Sequence, residues 1–424
     1  MVIVMDRLLQ TLLEEFHEKM KAFTGGILRE TQFSKISNKI SVAIGMRRTG
    51  KTYLLFQTMQ ALLKETPLTR ILYINFEDDR LYPMTQKQFG ELIDHFYTLY
   101  PENHDHICYL FFDEIQNIEN WQMVIRRYSD TKNVKIYLTG SSAKLLSKEI
   151  ATSLRGRSLA TEVWPFSFKE FLCAKEVAYP DTTLLGKRSL DQLNGFLRLY
   201  LNQGGFPELT LFTRPESTQI LQDYVSVVIF RDIVERYKIT NISLIQYMIK
   251  TLIRNVGCGF SVHKFLNDLK SQGFSVGKTT IHDYLSYIED AYLAFTVPLY
   301  SESLRKTQTN LRKIYAVDTG LVKAYTMSLS QNLGHHFENL IYLDLRRSNH
   351  TVHYYLTASR REVDFFACDH QGQWHLYQVC WNMDDPQTLE RETLSLNEAE
   401  KELGIKGHII TPTSYFSTFL PAIF

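Results

Sequence analysis

The chain has 424 residues, with 47 Lys and Arg against 46 Asp and Glu, a formal net charge of +1. At 44% hydrophobic and 22% charged it has the composition of a folded globular protein long enough for several domains, which excludes wholesale disorder. The balanced charge leaves no global field to draw the chain onto nucleic acid or an anionic membrane, so any such contact must be a local patch. No apolar run approaches the ~18 residues of a membrane span. The opening MVIVMDRLLQTLLEEF meets acidic residues too early for a secretory signal peptide. The five cysteines (Cys108, Cys173, Cys258, Cys368 and Cys380) are scattered and never spaced Cys-x-x-Cys. That argues against a disulfide framework or a cysteine zinc site. The reading is a reduced, cytoplasmic protein that engages no membrane.

Residues 6 to 23 place Leu8, Leu9, Leu12, Leu13, Phe16 and Met20 at helical spacing, an amphipathic helix leading into the first domain. Short β-rich runs then alternate with helical stretches: KISVAIG (39–45), RILYINFE (70–77), ICYLFFDE (107–114), VKIYLTG (134–140) and LATEVWPF (159–166). Near-continuous apolar strands with helices between them predict an α/β fold, a parallel sheet covered on both faces. From Leu190 to about Tyr237 the pattern is mostly helical. Three helical segments followed by short strands occupy 242–299. A helix and the strands TVHYYLTA, REVDFFAC and WHLYQVCW fill the last third.

The segment Gly45-Met46-Arg47-Arg48-Thr49-Gly50-Lys51-Thr52 fits G-x-x-x-x-G-K-[ST] without substitution, after a strand and opening a helix. In that context the glycines let the backbone curl so that its N–H groups face phosphate, and the helix N-terminus adds positive charge. Lys51 reaches the β- and γ-phosphates, and the Thr52 hydroxyl is placed for Mg²⁺. The predicted nucleotide contacts are Gly45, Arg48, Thr49, Gly50, Lys51, Thr52 and Tyr53.

Asp113 ends the apolar run Cys108-Tyr109-Leu110-Phe111-Phe112, where a carboxylate would hold Mg²⁺ together with Thr52. Glu114 follows and can polarise a water for in-line attack on the γ-phosphorus. The next strand ends Leu138-Thr139-Gly140-Ser141-Ser142. Ser141 is read as a γ-phosphate or water sensor, or else as the N-cap of the helix AKLLSKEI. Leu154-Arg155-Gly156-Arg157 sets two cations beside a glycine. Arg157 either neutralises γ-phosphate charge, in cis or from a neighbouring subunit, or sits in an ordinary ion pair. No guanine-reading N-K-x-D segment follows, which favours ATP over GTP.

With these residues in place the chain resembles the bacterial and archaeal predicted ATPases of the AAA+ superfamily that carry a C-terminal domain of unknown function. The likeness runs through IGMRRTGKT, YINFEDDRL, FFDEIQNIENW, YLTGSSAKLLSKEIATSLRGRS and WPFSFKEFL. It continues in GGFPE (204–208), YVSVVIFRDIVERY (224–237), KIYAVDTGL (313–321), HFENLIYLDLRR (336–347) and REVDFF (361–366). The resemblance implies ATP contacts at Gly50, Lys51 and Thr52, and metal and water roles for Asp113 and Glu114. It implies much less about what the ATPase drives.

Residues 243–296 suggest a winged helix-turn-helix whose third helix opens Lys278-Thr279-Thr280-Ile281-His282-Asp283. A DNA reader would present clustered Lys and Arg there. This set is thin and has Asp283, Glu289 and Asp290 against it, so use as a lid or protein contact is preferred. The last third resembles a restriction-endonuclease-like fold, with Glu338 as the helix carboxylate and Asp364 as the strand carboxylate. Glu362 shares the face of Asp364 by period two. Gln378-Val379-Cys380 stands where Glu-x-Lys is expected, so the site lacks its lysine. Arg360 is the one migrated cation in view, and no Mg²⁺- or Mn²⁺-dependent DNA cleavage is expected.

The expected organisation is a P-loop, AAA+-like ATPase domain (1–190), a helical lid or linker (191–240), a winged-helix-like domain (241–325) and an inactive nuclease-like α/β domain (326–424). The expected activity is slow Mg²⁺-dependent ATP hydrolysis as a switch or motor, with Glu114, Lys51, Ser141 and Arg157 as the catalytic set. A non-hydrolysing ATP-dependent binding protein and a DNA-processing ATPase are the alternatives. A DNA or protein partner and self-association are left open.

Overall fold

The computed structural model describes residues 2–36, 38–140, 154, 156–177, 186–211, 216–303, 311–326, 333–382 and 386–419. They form two compact units, Met1–Val163 and Trp164–Phe424. Among the described residues no helix is long and apolar enough to cross a membrane.

The first unit is built on five strands: β1 (Ile40–Ile44), β2 (Ile71–Asn75), β3 (Cys108–Asp113), β4 (Val134–Gly140) and β5 (Ser158–Glu162). They pair in parallel in the order β2-β3-β4-β1-β5. Every residue of β1 is buried, as expected of a strand covered on both faces. The helices are α1 (Val2–Ala22), α2 (Lys51–Leu62), α3 (Gln86–Leu99) and α4 (Trp121–Thr131). Along α1, Leu9, Leu13, Phe16 and Met20 are buried at helical spacing. Phe16 and Met20 join Leu55, Phe56 and Met59 of α2 and Ile71, Tyr73, Phe111 and Tyr137 of the sheet in one core. Burying each such side chain contributes roughly 1.5–3 kcal/mol. This core holds α2, and therefore its first turn, against the strand tips. Thr85 and Gln88 close α3 with a reciprocal capping box.

In the second unit, α5 (Phe168–Ala174) is capped by Ser167 and Glu170, and α6 (Lys187–Gln203) leads into the loop Gly204-Gly205-Phe206. Helix α7 (Glu216–Val227) runs on through a π-helical stretch, Val228–Val234. Three helices follow: α8 (Ile242–Arg254), α9 (Val262–Ser271) and α10 (Lys278–Asp290). They accompany an antiparallel sheet of β6 (Gly259–Phe260), β7 (Ala294–Val297) and β8 (Arg312–Ala316), with β8 in the middle. After α11 (Thr319–Tyr325) and α12 (Leu333–Arg347) comes a second sheet. Its strands are β9 (Thr351–Leu356), β10 (Glu362–Cys368), β11 (Trp374–Val379) and β12 (Gly407–Ile410). The order is β12-β11-β10-β9, antiparallel except for the β11–β12 pair. Helices α13 (Pro386–Leu403) and α14 (Pro412–Thr418) complete the unit.

Several sequence motifs of this unit meet in one buried frame. The Asp318 carboxylate accepts the Gly205 N–H at 2.6 Å and caps α11 through the Gly320 and Leu321 N–H groups. The Gly205 carbonyl accepts the Phe166 N–H at 2.6 Å, and the Tyr200 hydroxyl donates to the Phe166 carbonyl. A Cβ on Gly205 would run into that same Phe166 carbonyl, so the residue is glycine because the backbones approach closely. Arg347 donates to Asp344 at 2.7 Å and to the Pro165 and Phe166 carbonyls, and Tyr415 donates to the other Asp344 oxygen. WPF, GGF, VDTG and LDLRR thus hold one another in place.

Candidate nucleotide site and a second polar cluster

The loop from Gly45 to Gly50 joins β1 to α2 and is shaped by residues in the left-handed region: Gly45 at φ 147°, Arg48 at φ 67° and Gly50 at φ 95°. A Cβ on Gly45 would collide with the Val163 carbonyl at the end of β5. The loop is braced from both sides. Thr49 Oγ1 donates to the Met46 carbonyl at 3.0 Å, and the buried Arg29 donates to the Thr49 carbonyl at 2.7 Å. Gln57 of α2 donates to the carbonyls of Gly25 and Ile27, tying the segment before β1 to the same helix. Lys51 is buried, and its Nζ donates to the Gly45 and Met46 carbonyls at 3.1 and 2.9 Å. Its ammonium therefore lies in the mouth of the loop. Arg48 is exposed at the loop crest, and Tyr53 is half exposed with its ring 5.6 Å from Phe23.

The carboxylate side comes from β3. Asp113 is buried, and Thr52 Oγ1 donates to its Oδ2 at 2.8 Å. Tyr73, on β2, donates to the same oxygen at 3.1 Å. Thr139, at the tip of β4, donates to Asp113 Oδ1 and accepts the Glu114 N–H at 3.0 Å. An alcohol and a carboxylate thus face each other across the site, the hard oxygen donor set that suits Mg²⁺. Burial, with the Asp113 charge behind it, pushes the Tyr73 hydroxyl well above its ordinary value, so it stays a donor.

Glu114 has φ 53° and ψ 47°, a left-handed turn that swings its side chain off the strand. Burial raises its carboxyl, opposed by the Lys51 ammonium and by a hydrogen bond that Gln116 Nε2 donates to Oε2. Arg47, next in the loop, pairs with Glu77 at 3.0 Å.

The structure brings Lys51, Thr52, Asp113 and Glu114 together. Ser141 lies outside the described residues. Arg157 is exposed and its guanidinium pairs with Asp130 of α4. Sequence reasoning missed Thr139, Tyr73 and Arg29. From the tip of β4 it is the Thr139 hydroxyl, two residues before Ser141, that touches Asp113, and a strict strand register from β3 to β4 is the signal that could have found it.

Sequence reasoning also erred on the cation near Glu338 and Asp364. With Cys380 at the position of the expected lysine, Arg360 was the only candidate. The cation present is Lys313 of β8, whose Nζ lies 2.5 Å from Glu338, 2.9 Å from Glu362 and 3.0 Å from Asp364. Burial alone would lower Lys313, but Asp364 and Glu338 outweigh it and hold the ammonium well above its ordinary value. Burial pushes Glu338 up to about 7 against the pull of Lys313.

A phosphate-binding loop ahead of α2, a strand-terminal carboxylate facing its threonine, and a polar strand tip between them are the parts of a P-loop nucleotide-binding domain. Residues 37–172 match the sequence profile of an AAA domain, and 195–332 match that of a domain of unknown function (DUF8612). The chain is 38% identical over 384 residues to the uncharacterized protein MJ1544 of Methanocaldococcus jannaschii, covering 89% of this chain and 82% of that protein. It is 31% identical over 335 residues to an uncharacterized protein of Haemophilus influenzae, covering 78% and 80% respectively. The chain belongs to the family of these two proteins. Among solved structures, the ORC1 protein of Aeropyrum pernix in complex with DNA overlays 68% of this chain and 86% of its own, at 12% identity and a TM-score of 0.32.

Proposed function

We propose that the chain binds Mg·ATP at the Gly45–Thr52 loop and hydrolyses it slowly, as a switch. The observation that carries this reading is the continuous set Thr52–Asp113–Thr139–Glu114, in which each member is positioned by the next. Lys51 would leave the Gly45 and Met46 carbonyls for the phosphate oxygens. Thr52 and Asp113 would hold the Mg²⁺, which supplies charge neutralisation on the phosphates when bound. Thr139 fixes the Asp113 carboxylate and the Glu114 backbone, and Glu114 takes a proton from the attacking water. The Gln116 amide donates to Glu114 Oε2 and orients the carboxylate, whose other oxygen would accept that proton.

For 241–325 we read a winged-helix-like module that contacts protein. The support is the thin basic set on the first turn of α10, where Lys278, Thr279 and His282 are exposed beside exposed Asp283. The test of the whole reading is steady-state ATP hydrolysis by the wild type and Glu114→Gln, with nucleotide binding measured in parallel and with DNA added. Turnover that depends on Glu114 supports the reading. Binding without any turnover in the wild type contradicts it and favours a non-hydrolysing binding protein.

A further inference from the structure

In the second unit a cavity of about 780 Å³ is lined by Lys313, Glu338, Glu362, Asp364, Gln378 and Glu392, among others. Lys313 is at its floor, with a side chain 2% exposed. An ammonium has three N–H groups, and three carboxylates lie within 3.0 Å of this one, contributed by α12 and β10. Lys313 and Tyr315 alternate along β8 and therefore share a face, and Tyr315 donates to Glu338 at 2.7 Å. The rest of the cluster is satisfied too. Asp364 accepts the Val379 N–H at 2.9 Å, the Gln378 side-chain oxygen accepts the Asp364 N–H at 3.2 Å, and Glu392 takes Gln378 and Arg391.

Glu338 and Asp364 are buried while Glu362 is half exposed at the rim, and buried carboxylates brought this close need a cation beside them. A divalent metal and a basic side chain such as a lysine are ways a protein supplies one. Hard divalent ions want several oxygen ligands at once, and one oxygen each of Glu338, Glu362 and Asp364 is turned to Nζ. Gly257, with φ 76°, leaves the Glu338 side open, since a Cβ there would lie 3.0 Å from Glu338 Oε2. Among the described residues no group of three or more His, Cys, Asp and Glu side chains is arranged to hold a metal ion.

We infer that Lys313 is a built-in cation: its ammonium holds the place a divalent metal would take between Glu338, Glu362 and Asp364. The metal site is then latent, exposed only when the lysine is removed. This inference does not depend on the nucleotide reading, because the two sites lie in different units and share no residue.

The test is titration of the nucleotide-free full chain with Mn²⁺, following the free-ion electron paramagnetic resonance signal. It compares the wild type, Asp364→Asn, Lys313→Ala and the Lys313→Ala/Asp364→Asn double variant. The expected result is that Asp364→Asn removes no Mn²⁺ binding from the wild type. Lys313→Ala takes up one further equivalent, the double variant loses it, and Mn²⁺ raises the melting temperature of Lys313→Ala alone. A wild type that binds Mn²⁺ through Asp364 overturns the inference. So does a Lys313→Ala protein with native circular dichroism that binds no additional Mn²⁺. Should Lys313→Ala not fold, the comparison of wild type with Asp364→Asn decides the matter.

Discussion

The Thr139 hydroxyl donates to the Asp113 carboxylate while accepting the Glu114 N–H at 3.0 Å, so one side chain on β4 fixes two neighbouring carboxylate residues, the last of β3 and the one just past it. The strand order makes this possible: β4 lies between the strand that carries the phosphate loop and the strand that carries Asp113. Thr139→Ala should therefore lower ATP turnover by ~10-fold or more, through misplacement of Asp113 and Glu114. Thr139→Ser should restore most of it. Nucleotide affinity should change little, so the effect appears in kcat. A loss in affinity alone, with kcat unchanged, would remove Thr139 from the catalytic arrangement.

Glu114→Gln keeps the size of the side chain and its ability to hydrogen-bond but cannot accept the water's proton. Turnover should fall by ~10²-fold or more while ATP still binds. Turnover equal to wild type would place the base elsewhere.

The sheet of the first unit was legible because its strands are short apolar runs separated by helical periodicity, and β4 was read with its ends as observed. The phosphate loop was legible because its residues are contiguous. Thr139 and Tyr73 were not, because a strand threonine and a strand tyrosine look like ordinary sheet residues until the register sets their oxygens beside Asp113. Lys313 was out of reach for a related reason. It comes from the middle strand of one sheet to carboxylates on a helix and a strand of another element group, and no local spacing encodes that meeting. Glu362 and Asp364 were paired correctly, since period two along one strand is local.

Gly205→Ala would force a methyl group into the Phe166 carbonyl and disturb the backbone that Asp318 and Tyr200 hold. Overpacking of this kind costs roughly 1–3 kcal/mol. Chemical denaturation should show a lower midpoint for the variant with native circular dichroism. An unchanged midpoint would mean the loop can relax without cost.

Asp318 supplies the pH dependence. Burial, against the backbone N–H groups of Gly205, Gly320 and Leu321, raises its carboxyl to about 6, above the ~3.9 of an unfolded chain. The native state then holds the proton more tightly than the unfolded state between those values. Its contribution to stability is greatest below pH 4 and falls as pH rises to about 6. Asp318→Asn does not titrate, so its cost relative to wild type should shrink as pH rises through that window. Urea midpoints of both proteins at several pH values check this, and a cost that grows with pH would reverse the assignment.

The central claim is that the Gly45–Thr52 loop binds ATP through Lys51. Calorimetric titration of the full chain with Mg·ATP tests it most directly, comparing wild type with Lys51→Ala. The account predicts saturable binding by the wild type. It predicts affinity at least ~10-fold weaker in Lys51→Ala, a loss of about 1.4 kcal/mol or more, with circular dichroism unchanged. Equal affinity in the two proteins, or no binding by a folded wild type, would contradict it.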